Sequence, residues 1–146
     1  MIKNISNLGD AAVYCDFGSD VSETINTKVI NYFNHLSMLV KKNKINGINN
    51  ITPSYNKLII SFDLEKTNYL EIKKVVMNID IKEDAQNNNK KVKVPVCCEN
   101  EFGLDFKRLL DKTRLSKEEI LKFYLEKEYF CYMTGFIAGM PFLGDI

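Results

Sequence analysis

The chain has 146 residues, 45% of them hydrophobic, with 20 Lys plus Arg against 19 Asp plus Glu. That length and apolar content suit one domain or two small ones, while a net charge of +1 supplies no field to hold a nucleic-acid backbone or an anionic membrane surface. The amino terminus "MIKNISNLGDAAVYC" lacks the pattern of an export signal and nowhere do about 18 apolar residues run together, so a cytoplasmic protein with no nucleic-acid or membrane partner is expected.

Along the chain, Ala11, Val13, Cys15 and Phe17 alternate with Ala12, Tyr14 and Asp16, which predicts a half-buried strand ended by Gly18. Asp20 stands three residues before Glu23, a helix-start signature, and Ile25, Val29, Tyr32, Phe33, Leu36 and Val40 recur at helical spacing, giving a helix over roughly Ser22 to Lys42. Lys41, Lys42 and Lys44 complement the dipole at its end. The only histidine, His35, lies at the edge of the apolar stripe with no cysteine or carboxylate at i±4, and reads as a boundary residue.

A weak strand near Ile48 to Thr52, a turn at Pro53-Ser54 and a stronger strand with Leu58, Ile60 and Phe62 on one face predict a hairpin. Thr67 or Asn68 then caps a second helix with the stripe Tyr69, Ile72, Val76 and Ile79. Strand, helix, strand, strand, helix is the order of a small ferredoxin-like α/β sandwich with one strand still owed. The polar stretch "DIKEDAQNNNKK" is too hydrophilic to bury, which sets an amino-terminal domain at 1–80, a linker at 81–91 and a second unit at 92–146.

In that second unit Val92, Val94 and Val96 alternate with Lys91, Lys93 and Pro95, predicting a strand that either completes the first sheet or opens a new one. Phe102, Phe106, Leu109 and Leu110 follow at helical spacing. Ser116 with Glu119 forms a capping box and Leu115 with Ile120 a hydrophobic staple. "EYFCYMTGF" is β-rich and apolar on both faces, so it requires cover on both sides, and fewer than a dozen residues come after it.

Chemistry is sparse. Of the cysteines Cys15, Cys97, Cys98 and Cys131, the adjacent pair would point to opposite sides of a strand and no C-x-x-C pair exists, so reduced, mostly buried thiols and no metal site are expected. Gly135, Gly139 and Gly144 fit neither a Walker loop nor G-x-G-x-x-G, and read as glycines that let a strand turn sharply. No G-x-S-x-G elbow occurs, the histidine is far in sequence from every cysteine but Cys15, and Glu99, Glu101, Asp105 and Asp145 read as exposed acids near helix starts. The residues alone describe a two-part α/β protein with no self-sufficient active site.

The carboxyl half nevertheless resembles the family of 5-oxoprolinase B-subunits, also described as the KipI or allophanate hydrolase subunit 1 family. Its signature runs P-V-x-Y, then G-x-D-L, then Y-x-V-Y-M-L-G-F-x-P-G-F-P-Y-L-G. Pro95 and Val96 match the first element, Gly103 and Asp105 the second, and Tyr132, Met133, Gly135, Phe136, Gly139, Pro141, Leu143 and Gly144 the third. Gly9, Asp10, Ala12 and Gly18 match the family's opening, and Pro53, Tyr55, Leu58 and Asp63 its central segment. The chain departs from the pattern at Ala138 in place of proline, Met140 in place of phenylalanine, Phe142 in place of tyrosine and Asp145 in place of glycine.

The resemblance implies an α+β protein: a ferredoxin-like sandwich followed by the opening of a cyclophilin-like β-barrel, the chain being an amino-terminal fragment because members continue beyond the signature. It implies a component of an ATP-dependent 5-oxoprolinase, which opens the lactam of 5-oxoproline to glutamate with partner subunits A and C, ATP being used at the level of the complex. The alternatives it carries are a KipI-like module that inhibits a sensor histidine kinase, or an inactive truncated remnant. The site residues it implies are Gly135, Phe136, Gly139, Pro141, Phe142, Leu143 and Gly144 facing substrate or partner, with Pro95, Gly103 and Asp105 as a secondary set.

Overall fold

The computed structural model describes residues 2–81 and 90–144. These fall into two compact units: the first runs to Ile81 and takes in Cys131–Phe142, and the second covers Lys90 to Phe130 and resumes at Leu143. Most of the expected linker, residues 82–89, and Asp145 lie outside the described residues.

The first unit contains β1 (Asn4–Asn7), β2 (Ala12–Asp16), α1 (Glu23–Lys41), β3 (Ile48–Pro53), β4 (Lys57–Phe62) and α2 (Tyr69–Met77). Its sheet has the order β1-β2-β4-β3 with every neighbouring pair antiparallel. Counted from β2, this is the strand order of a ferredoxin-like sandwich whose closing strand comes from the amino terminus. The owed strand is therefore β1 and not Val92–Val96. "NISN" shows no alternation because only Ile5 is apolar; it is placed by pairing, with Ile5 opposite Cys15. Val92 and Val94, by contrast, are 69% and 71% exposed, and Val92–Val96 joins no ladder among the described residues, so the strand predicted there does not form.

The period-two pattern of β2 and β4 puts Val13 opposite Ile60 and Cys15 opposite Leu58 on one sheet face. That face gathers Val29 and Leu36 of α1 and Ile72 and Val76 of α2 into one cluster with Phe17 and Phe62, so both helices lie on the same side of the sheet. Each such side chain, fully buried, contributes about 1.5–3 kcal/mol.

The helix caps refine the sequence reading. Ser22, rather than Asp20, caps α1, its hydroxyl accepting from the Ile25 N–H at 3.3 Å; the Asp20 carboxylate instead accepts from the Ser19 hydroxyl. Asn68 caps α2 by accepting from the Glu71 N–H, while the neighbouring Thr67 hydroxyl donates to the Glu71 carboxylate.

The second unit contains α3 (Phe106–Thr113) and α4 (Lys117–Glu126). The predicted capping box is present on α4: Ser116 Oγ accepts from the Glu119 N–H at 3.2 Å and Glu119 Oε2 accepts from the Ser116 N–H at 2.8 Å. Neither helix has a fully buried residue, and Phe102 lies outside α3, exposed. Two further strands, β5 (Cys131–Thr134) and β6 (Pro141–Leu143), pair as a separate hairpin, and the described residues close no barrel. The thiols differ from expectation: only Cys15 is buried, whereas Cys97 and Cys131 are exposed, and with no strand at 97–98 the opposite-sides reasoning for that pair does not apply.

Candidate functional site: the glycine-rich hairpin

The β5–β6 hairpin carries most of the signature residues, and its turn is tightly bonded to itself. The Gly135 N–H donates to the Met140 carbonyl, the Ile137 N–H to the Gly135 carbonyl and the Met140 N–H to the Ile137 carbonyl, at 3.1, 2.7 and 3.0 Å. Gly139 adopts φ +81, as the turn reading of the glycines requires. The other left-handed residue is Phe136, at φ 63, and its side chain is 90% exposed. A bulky residue in that region is costly, by about 1–2 kcal/mol, and an exposed ring gains no burial in return. Strained residues of this kind cluster at ligand clamps and switch regions, which makes Phe136 a candidate contact.

The base of the hairpin is held by the first unit. Tyr132 is 3% exposed, and its ring lies 5.3 Å from that of Tyr55 between centroids. Phe142, which lacks the hydroxyl of the family's tyrosine, sets its ring edge against the same Tyr55 at 6.5 Å. Ser54 Oγ donates to Met133 Sδ at 3.5 Å. Under these contacts lies Asn26 of α1, 1% exposed, whose carboxamide nitrogen reaches the carbonyls of Ser54, Tyr55 and Tyr132 at 3.1, 3.0 and 3.1 Å. Cover for β5 is partial: Tyr132 is buried and Met133 half-buried, while the end residues Cys131 and Thr134 are exposed.

The motifs of the sequence do not single out Asn26. A signal is nonetheless present: an asparagine three residues before Val29 and seven before Phe33 sits on the apolar stripe itself, where a polar side chain needs partners.

Pro95, Gly103 and Asp105 belong to the second unit. Pro95 is exposed in a segment without regular structure. Gly103 precedes α3, its carbonyl accepting from the Phe106 N–H, and a Cβ there would come within 1.9 Å of the Phe106 ring, which accounts for the glycine sterically. Asp105 occupies the N-cap position of α3 without a capping bond and pairs with Arg108 at 3.2 Å. Leu143 and Gly144 close the hairpin, with the Gly144 N–H donating to the Phe130 carbonyl.

The one charged cluster bridging strands in the first unit lies at the end of β2, among the described residues. Lys57 Nζ bonds both the Asp16 carboxylate and the Gly18 carbonyl, and the Gly18 N–H donates to the same carboxylate, so Asp16 is held below the usual carboxylate range. Asn56 fixes the adjoining loop by donating to the carbonyls of Gly18 and Asp20. The Lys57 ammonium, the Asp16 carboxylate and the Asn56 carboxamide nitrogen are thus engaged within the cluster, which is a structural arrangement.

The family described as "Carboxyltransferase domain, subdomain C and D" matches residues 3–146. The chain belongs to that family. It is 28% identical, over 97% of its length, to the 5-oxoprolinase B-subunit of Bacillus subtilis (strain 168), and it spans 62% of that relative. Among solved structures it superposes on the crystal structure of TTHA0988 with a TM-score of 0.73 and 22% identity, covering 92% of this chain and 25% of the other, which shows a shared fold. A conserved uncharacterized protein of Pyrococcus horikoshii, PH0987, is 26% identical over 92% of this chain and 60% of its own, with a TM-score of 0.44. The matched span takes in the glycine-rich hairpin, and among the described residues no helix is long and apolar enough to cross a membrane.

Proposed function

We propose that this chain is a subunit, or part of one, of an ATP-dependent 5-oxoprolinase that works with partner subunits A and C. The observation that carries this reading is the match to the 5-oxoprolinase B-subunit along 97% of the chain, both compact units and the hairpin included. In the same reading residues 92–146 contribute to a cyclophilin-like barrel, after a domain at 1–80 and a linker at 81–91.

Opening a lactam breaks a C–N bond: water adds to the carbonyl carbon and a proton passes to the departing nitrogen, which calls for acid–base groups. Gly135–Gly144 has no titratable side chain. Its part is to present backbone and apolar surface, with Phe136 as the most exposed contact, while partner subunits supply the acid–base groups. The hairpin does not fit a triphosphate either: it carries no cation, and its Gly135, Ile137 and Met140 N–H groups are committed to its own carbonyls. ATP is therefore proposed as a ligand of the complex and not of this hairpin.

Mixing the chain with subunits A and C and following ADP release tests the reading. ATP hydrolysis that depends on 5-oxoproline and on all three components is expected. Gly139→Val, whose cost is backbone strain because a Cβ there meets nothing within 4 Å, should lower turnover about tenfold. Unchanged turnover when this chain is left out would sink the proposal. The exposure of Phe136 also favours a second reading, a KipI-like module docking on a sensor histidine kinase; inhibition of autophosphorylation without subunits A and C distinguishes it.

A further inference from the structure

We propose that Asn26 is the positioning residue of the signature hairpin: its buried carboxamide locks the backbone of β5 to the β3–β4 turn, and thereby fixes where the Gly135–Gly144 loop is presented. The inference concerns how the hairpin is held and stands whichever reaction the hairpin serves.

Three observations converge. First, the carboxamide nitrogen is shared among three backbone carbonyls, two from the turn at Ser54 and Tyr55 and one from Tyr132, 106 residues away in sequence. An amide nitrogen has two protons, so one of them serves two acceptors, and no other uncharged side chain of this size offers the same pair of donors on so short a stem. Second, Asn26 is almost fully enclosed and lies on the stripe of α1 that otherwise carries Val29 and Leu36 into the core. Enclosing an amide there carries a desolvation cost that a leucine or valine would not, and the three carbonyls are the partners that offset it. Third, the hairpin also meets this surface through adaptable contacts: ring packing of Tyr132 in β5 and Phe142 in β6 on Tyr55, and a weak hydroxyl–thioether bond from Ser54 to Met133. Rings slide and thioethers adapt. The carboxamide is directional by contrast, and because it binds the backbone of one residue of β5 it sets register.

Hydrogen exchange on three proteins, the parent, Asn26→Leu and Asn26→Asp, provides the test. The readout is the protection factor, normalised for intrinsic pH dependence, of the hairpin amides Gly135 and Met140 against the ladder amides of β2 and β4. Asn26→Leu keeps an apolar volume on α1 but removes both donors. Hairpin protection should fall roughly tenfold while ladder protection holds. Asn26→Asp is nearly isosteric; its enclosed carboxyl, facing carbonyl oxygens, titrates above the ordinary range, and once ionised it aims a carboxylate at three carbonyl oxygens, so at high pH the hairpin should loosen at least as much. As pH is lowered the enclosed carboxyl gains a proton and can donate once, so hairpin protection should partly return in this variant and in neither of the others. That pH-dependent rescue is a response a merely space-filling residue does not give. Unchanged hairpin protection in Asn26→Leu, hairpin and ladder lost in equal proportion in either variant, or an Asn26→Asp hairpin that stays loose at low pH, would each overturn the proposal.

Discussion

Cys15 sits at the centre of the first unit with no exposed surface, and burial pushes its thiol from the ordinary 9.0 up to about 12. As pH rises past about 9, the unfolded chain loses this proton while the folded chain keeps it. The unfolded state then binds fewer protons, so stability falls across the window from about 9 to about 12. Denaturation followed at about pH 8 and about pH 10.5 should show this loss in the parent, with a shallower decline in Cys15→Ala, whose lower starting stability reflects the cavity. A thiol reagent should modify Cys97 and Cys131 in the folded protein and reach Cys15 only after denaturation; modification of Cys15 under native conditions would contradict the packing. Burial of Cys15 is legible in the sequence because alternation along Ala11–Phe17 is a local signal. Exposure of Cys97 is not, since a thiol's burial depends on whether its segment finds a ladder. Asn26 escapes a sequence reading for the opposite reason: its role is defined by carbonyls far along the chain, and only the misfit of an amide on an apolar stripe announces it.

At the level of elements, legibility follows the range of the interactions that define them. The α4 capping box is a bond pair between residues three apart, so Ser116 and Glu119 predict it directly. Ser116→Ala should cost α4 about 1 kcal/mol and raise exchange in its first turn, with no change in the β2–β4 ladder; an unaffected first turn would show that the cap is idle. The Glu119 carboxyl, held low by the Ser116 N–H, belongs to the same local device. The start of α1 is harder to place, because Asp20 and Ser22 are both competent caps and the choice between them turns on which backbone bends. β1 is illegible altogether. Its four residues include one apolar side chain, and what makes it a strand is a free edge on β2. The strand pattern at Val92–Val96 is the converse, an alternation that joins no ladder among the described residues, which shows that period two suggests a half-buried strand and never guarantees one.

For the whole molecule, stability resides unevenly. The first unit holds all of the buried apolar side chains among the described residues, whereas α3 and α4 bury none completely. Leu58→Ala, at the middle of the sheet, should therefore cost roughly 2–5 kcal/mol and release exchange across β2, β4 and both helices packed on them. Leu104→Ala, at a site 90% exposed, should stay within about 0.5 kcal/mol. Equal effects from the two would mean that the second unit contributes a core of its own. The expected fold class, α+β, is legible because it rests on element order, and so is the sandwich. The permuted closing strand is not, since permutation leaves the order of the remaining elements untouched.

That permutation has a consequence in time. All four strands of the first sheet lie within the first 62 residues and α2 ends at Met77, so the sheet and both helices can form while the ribosome is still making the second unit. The Asn26 carboxamide can then already hold Ser54 and Tyr55, but its third acceptor is missing until Tyr132 has left the exit tunnel. The hairpin is accordingly the last piece of the first unit to arrive, and it arrives at a surface already built to receive it.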